Sequence, residues 1–80
     1  MKKTRYSNNL KKYRARTKMT QAEFATACGW KDGQQRIGLY ETGRRDPSLS
    51  DIRQIISTLK ELGVRASIDG VFPTDQIKGV

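Results

Sequence analysis

Two glutamines stand side by side at Gln34 and Gln35, directly after the turn signal Asp32-Gly33, and Arg36 follows them. A carboxamide donates one hydrogen bond and accepts another from the same end. It therefore matches a flat group that offers an acceptor beside a donor, as the N7 and N6 edge of adenine does. A guanidinium presents two parallel donors, suited to the O6 and N7 edge of guanine or to phosphate oxygens. Gly38 and Leu39, small or apolar, are the kind of residue that can approach a thymine methyl. The run closes on Gly43-Arg44-Arg45, two more cations just past the last periodic apolar residue. This is the chemistry of recognition, not of bond-making. The sequence has no histidine. It also lacks residues at metal-ligand spacing, a glycine-rich phosphate loop and a carboxylate pair placed for acid–base work, so neither an enzyme nor a metal or cofactor site is expected.

The charge narrows the partner. Of a net +8 over 80 residues, residues 1–45 hold twelve Lys and Arg against three Asp and Glu, a net +9, while residues 46–80 hold four against five, a net −1. A solubilising charge would be spread more evenly. A polyanion touching one part of the domain accounts for the asymmetry, because each phosphate neutralised releases counterions. Double-stranded DNA is the expected partner, with no role for a membrane. The single Cys28 cannot form an internal bridge, and no apolar run is long enough to span a bilayer or to act as a signal peptide. A cytoplasmic protein, in a bacterial cell or a phage-infected host, is the expectation.

These side chains need helices to hold them. Residues 1–6 read as a flexible basic arm. Ser7 or Asn8 can cap a first helix running to about Thr17, with Leu10 and Tyr13 on one face. Thr20 and Glu23 form a T-x-x-E capping box for a second helix, with Met19 and Phe24 placed as a hydrophobic staple and Gly29 ending it. Cys28 belongs to its buried face, where it has no histidine to activate it. After the Trp30–Gly33 turn, Asp32 or Gly33 caps a third helix in which Ile37 and Tyr40 face inward, leaving Gln34, Gln35, Arg36, Gly38 and Leu39 outward. Ser48 or Ser50 caps a fourth helix carrying Leu49, Ile52, Ile55, Ile56, Leu59 and Leu62, and Gly63 closes it. Val64, Ala66, Ile68 and Phe72 then alternate with polar residues at the period of a strand, and residues 73–80 read as a frayed tail.

Two short helices joined by a tight turn, with small Ala25 and Gly29 placed for close approach, predict a helix-turn-helix, whose second helix enters the major groove. Residues 7–63 form that unit: mostly α, four to five helices, followed by a short C-terminal β-strand over residues 64–72. Arg36 can read a base or reach a phosphate. Lys31, Thr42, Arg44, Arg45 and the arm residues Lys2, Lys3 and Arg5 are the expected phosphate contacts.

The string LKKYRARTKMTQAEFATACG, followed by QQRIGLYETGRRDPSLSDIRQII, resembles the lambda-repressor-like (Cro/C1-type, Xre) helix-turn-helix family from about Leu10 to Leu59. GQQRIG is similar to the recognition-helix start of lambdoid phage repressors, in which glutamines at the sites of Gln34 and Gln35 touch bases. The resemblance implies a phosphate contact from Gln21. It also implies a structural pair between Arg14 and Glu41 that ties the first helix to the end of the third. The Trp30–Gly33 turn is two residues longer than the family's commonest spacing. The length matches Cro-like proteins, short repressors and antitoxins. Two functions follow: a phage or prophage transcriptional repressor, or the antitoxin of a toxin–antitoxin pair, which would bind a toxin as well as its own operator.

One such unit reads only a few base pairs, so a homodimer on a pseudo-palindrome is expected. An isolated strand leaves its backbone groups unpaired. Antiparallel pairing of two copies of residues 64–72 about a two-fold axis, burying Val64, Ala66, Ile68 and Phe72, would satisfy them. The alternative is a tail folded back on its own fourth helix.

Overall fold

A computed structural model describes residues 8–73. The basic arm, Ser7 as a cap, and the tail beyond Pro73 lie outside the described residues. Five helices run in the order α1 (Leu10–Thr17), α2 (Gln21–Ala27), α3 (Gln34–Thr42), α4 (Leu49–Glu61) and α5 (Ile68–Val71). No strand occurs among the described residues, and none of their helices is long and apolar enough to cross a membrane.

The helix ends explain the arrangement. Asn9 occupies the N-cap position of α1 but makes no side-chain cap bond. The neighbouring Asn8 supplies one instead: its Oδ1 accepts from Leu10 N at 3.0 Å while its Nδ2 donates to the Tyr40 carbonyl at 2.8 Å. One side chain thus satisfies a free helix N–H and ties α1 to α3. The Thr20–Glu23 capping box at α2 is complete in both directions, and Met19 packs partly buried against the core beside fully buried Phe24. Helix α2 ends in a Schellman motif, Gly29 N bonding Thr26 O and Trp30 N bonding Ala25 O. Gly29 takes φ +82°, and a Cβ there would meet nothing within 4 Å. Its conformation is what the turn requires.

The close approach of α2 to α3 falls elsewhere than expected. Ala25 is matched by Gly33, not by Gly29: a Cβ at Gly33 would sit 2.8 Å from Trp30 Cβ, 3.0 Å from the Trp30 carbonyl oxygen and 3.2 Å from Ala25 Cβ. Gly33 also stands at the N-cap of α3, so the longer turn folds back tightly under the start of that helix.

Ser48 caps α4 by accepting from Asp51 N at 3.1 Å. Ile55, Ile56, Thr58 and Leu59 face the core, whereas Leu49 and Leu62 are exposed. The core joins Leu10, Phe24, Ile37, Ile55, Leu59 and Val71, all fully buried. Buried Thr58 donates to the Gln54 carbonyl at 2.8 Å, so its hydroxyl is satisfied.

The C-terminal strand is not formed. Val64–Ser67 is irregular, and Ile68–Val71 is a single helical turn capped by Ser67, whose side chain accepts from Gly70 N. Of the residues expected to pair between copies, Val64 and Phe72 are buried in the chain's own core, Ala66 packs partly against it, and Ile68 is exposed. Several of the segment's backbone groups find partners within the chain, Val64 N bonding Leu59 O and Phe72 N bonding Ile68 O. Asn9 donates from its backbone N to Val71 O at 2.8 Å and from Nδ2 to Gly70 O at 2.9 Å.

Candidate nucleic-acid interface

Helix α3 presents two faces. At about 100° per residue, positions 34, 35, 38, 39 and 42 share one arc and positions 37 and 40 the opposite one, with Glu41 at the border next to Gln34. Ile37 is fully buried and Tyr40 nearly so. On the outer arc Gln34 and Gln35 are exposed, while Gly38 and Leu39 are half-buried. No hydrogen bond to another described residue engages either glutamine side chain. A groove of about 810 Å³ runs along this arc, with Gln21, Ala22 and Thr26 of α2 on one wall, α3 on the other, and Arg44 at its end.

Gln21 sits where α2 meets α3. Its Nε2 donates to Glu41 Oε1 at 3.0 Å, and its amide lies near Gly38, where an added Cβ would stand 3.5 Å from its Oε1, an ordinary contact. Glu41 also takes both forks of Arg14, Nε at 2.5 Å and Nη2 at 3.3 Å, and Arg14 Nη1 donates to the Met19 carbonyl at 2.8 Å. The structure therefore brings Arg14, Gln21 and Glu41 into one polar cluster behind the groove.

Arg36 is not among the groove residues. Its Nη1 lies 3.4 Å from Asp51 Oδ2 and its guanidinium carbon 4.5 Å from the centre of the Trp30 ring. Trp30 stands edge-on to Tyr40, with ring centres 6.4 Å apart. Arg36 thus lies on the flank of α3 shared with Trp30 and Asp51, apart from the arc of Gln34 and Gln35. The role of Trp30 and Asp51 as props for α3 was missed in the sequence. The one available signal was an aromatic held just after a helix-ending glycine.

Of the residues expected to meet phosphate, Lys31, Arg44 and Arg45 are exposed. Thr42 is exposed as well, but its hydroxyl donates back to the Gly38 and Leu39 carbonyls. Lys2, Lys3 and Arg5 lie outside the described residues. Cys28 is buried, and burial pushes its thiol up, which disfavours the reactive thiolate.

The Tyr40 hydroxyl donates to Asp51 Oδ2 at 2.5 Å. Burial, followed by that bond and the Asp51 charge, pushes its pKa up to about 12 from the usual tyrosine value near 10. The folded protein thus holds this proton more tightly than the unfolded chain. The stability it contributes is complete below pH 10 and is lost as pH rises through 12, up to about 2–3 kcal/mol. Ultraviolet titration should show one tyrosine ionising last, together with loss of helical circular dichroism. A Tyr40→Phe variant should lose the alkaline step. If its alkaline unfolding matches that of the parent, Tyr40 is not the group responsible.

A family model described as a helix-turn-helix domain matches residues 5–66 of the chain. No curated protein and no solved structure matches it.

Proposed function

The chain belongs to this helix-turn-helix domain family, and from that premise we propose that it is a sequence-specific regulator of transcription. In this reading it inserts α3 into the major groove of double-stranded DNA and acts as a repressor in the cytoplasm of a bacterial or phage-infected cell. The observation that carries this reading is the division of labour on α3. Ile37, Tyr40 and Glu41 are spent on the chain's own interior, while Gln34 and Gln35 stand exposed at the N-terminal turn with their amides unspent among the described residues. That turn is the part of a recognition helix that meets base edges. Gly38 and Leu39 continue the same arc and supply apolar contact.

Gln21, Lys31, Arg44 and Arg45 hold the phosphates on either side of the groove, joined by the arm residues Lys2, Lys3 and Arg5. Glu41 uses one N–H of Gln21, leaving the second N–H for a phosphate oxygen. Two copies bind a pseudo-palindrome with their α3 helices about 34 Å apart, one turn of DNA. A bound pair excludes polymerase from an overlapping promoter, which is repression in its simplest form.

Selection of duplexes from a random pool, followed by binding titrations, tests this reading. Gln34→Ala and Gln35→Ala should each cost about 1–3 kcal/mol of discrimination at particular base pairs. If both variants weaken selected and random DNA equally, they are not base readers. Arg44→Ala and Arg45→Ala should each lower the slope of log affinity against log salt by about one, with little change in sequence preference. A slope unchanged in the double variant removes them from the interface. The footprint should be two-fold symmetric; a single half-site at saturation ends the paired model.

A further inference from the structure

The first half of the chain holds three acids, and two have structural employment: Glu23 completes the capping box of α2 and Glu41 is locked to Arg14 and Gln21. The third, Asp32, is exposed and lines the same groove as Gln34 and Gln35. No hydrogen bond or ion pair with another described residue engages its carboxylate. A negative charge on a surface built to meet a polyanion weakens every nearby phosphate contact.

The backbone accommodates an aspartate here but does not call for its charge. Asp32 adopts φ +57°, a left-handed conformation that glycine or asparagine would take without bringing a charge. Its position just before the N-cap Gly33 places it near the positive end of α3, a favourable but small effect at an exposed site. That same helix end would otherwise attract a phosphate.

Resting on the major-groove reading above, we infer that Asp32 is a specificity-determining residue that accepts a hydrogen bond from cytosine N4 at a base pair beside those read by Gln34 and Gln35. The only major-groove donors are the exocyclic amines of cytosine and adenine. A carboxylate has no donor to offer in return. Adenine sets its N7 acceptor next to the amine, and guanine and thymine present acceptors that a carboxylate repels, so cytosine fits best. The same charge keeps the groove from settling against backbone phosphate, raising the ratio of specific to non-specific binding.

The test compares duplex selection and affinity for the parent, Asp32→Asn and Asp32→Gly, both of which accept the left-handed backbone. The parent should select cytosine at one position that the glutamine variants leave unchanged. Asp32→Asn should shift that position toward adenine, whose edge a carboxamide matches, and Asp32→Gly should leave it without preference. Both should bind random DNA about threefold more tightly, as expected for removal of an exposed like charge, and the ratio of selected to random affinity should fall about tenfold. An unchanged consensus and ratio in both variants overturns the inference. So does a change confined to unfolding stability, which would assign Asp32 to the helix end alone. A parent that selects no consensus at all overturns the base-reading proposal beneath it and this inference with it.

Discussion

Glu41→Ala is expected to lower folding stability by about 3–5 kcal/mol, measured by urea denaturation. The side chains of Arg14 and Glu41 are only 14% and 3% exposed, so a charge stranded there cannot be rehydrated without opening the junction. The pair is also a hub. Glu41 accepts from Arg14 and Gln21, and Arg14 donates onward to the Met19 carbonyl just before the capping box of α2. Losing the carboxylate leaves Arg14 with one partner and frees Gln21 to wander from its place against Gly38. Arg14→Met should cost a similar amount, because Glu41 is then the uncompensated charge. Removing both charges together, in Arg14→Met with Glu41→Leu, should cost much less than the two singles added. The expense lies in stranding one ion rather than in losing the pair. Strict additivity, or a single-variant loss below about 1 kcal/mol, would show that water reaches the pair and that it contributes no more than a surface bridge.

The parts of this molecule written in local sequence were legible. The Thr20–Glu23 box, the inward pair Ile37 and Tyr40, the Ser48 cap and the glycines at 29, 43 and 63 each depend on neighbours within a few residues, and they occur as read. The props of α3 were not legible. Arg36 meets Asp51 fifteen residues away and Trp30 across a turn whose fold depends on Gly33 seating against Ala25. Nothing local to Arg36 says that it lies toward Asp51 rather than along the arc of Gln34 and Gln35; one step of about 100° around the helix decides it. The outer arc itself follows from period alone, which is why Gln34 and Gln35 could be placed on it, whereas the contacts of Arg36 with Trp30 and Asp51 could not be read. Asp32 was visible only as a turn residue and an alternative cap of α3, a place Gly33 takes. Its standing in the groove needed the wall of α2 opposite.

The C-terminal segment misled for a different reason, and the variant that tests its structure should have the other large effect. Val64, Ala66 and Ile68 do alternate, but four helical residues are too few for a 3.6-residue period to announce itself against a two-residue one. What decides between them is tertiary: Val71 is fully buried, Phe72 is 5% exposed, and Asn9 spends two donors on the last carbonyls of α5. Tyr13 closes over the same turn, its hydroxyl 2.8 Å from where a Cβ on Gly70 would stand. Phe72→Ala should therefore cost about 3–5 kcal/mol, the range for emptying a buried aromatic site, out of a total on the order of 5–15 kcal/mol for a domain. Ile68→Asp places a charge at a position 39% exposed and should change stability by no more than about 0.5 kcal/mol. Strands paired between two copies would make the opposite demand, since Ile68 would share the buried face with Val64 and Ala66. Urea midpoints of the two variants, taken at several protein concentrations, separate the cases. A docked helix predicts a large loss for Phe72→Ala, a negligible one for Ile68→Asp, and neither dependent on concentration. If Ile68→Asp proves the more damaging, or its effect grows with dilution, residues 64–72 are committed to a partner and not to the chain's own core.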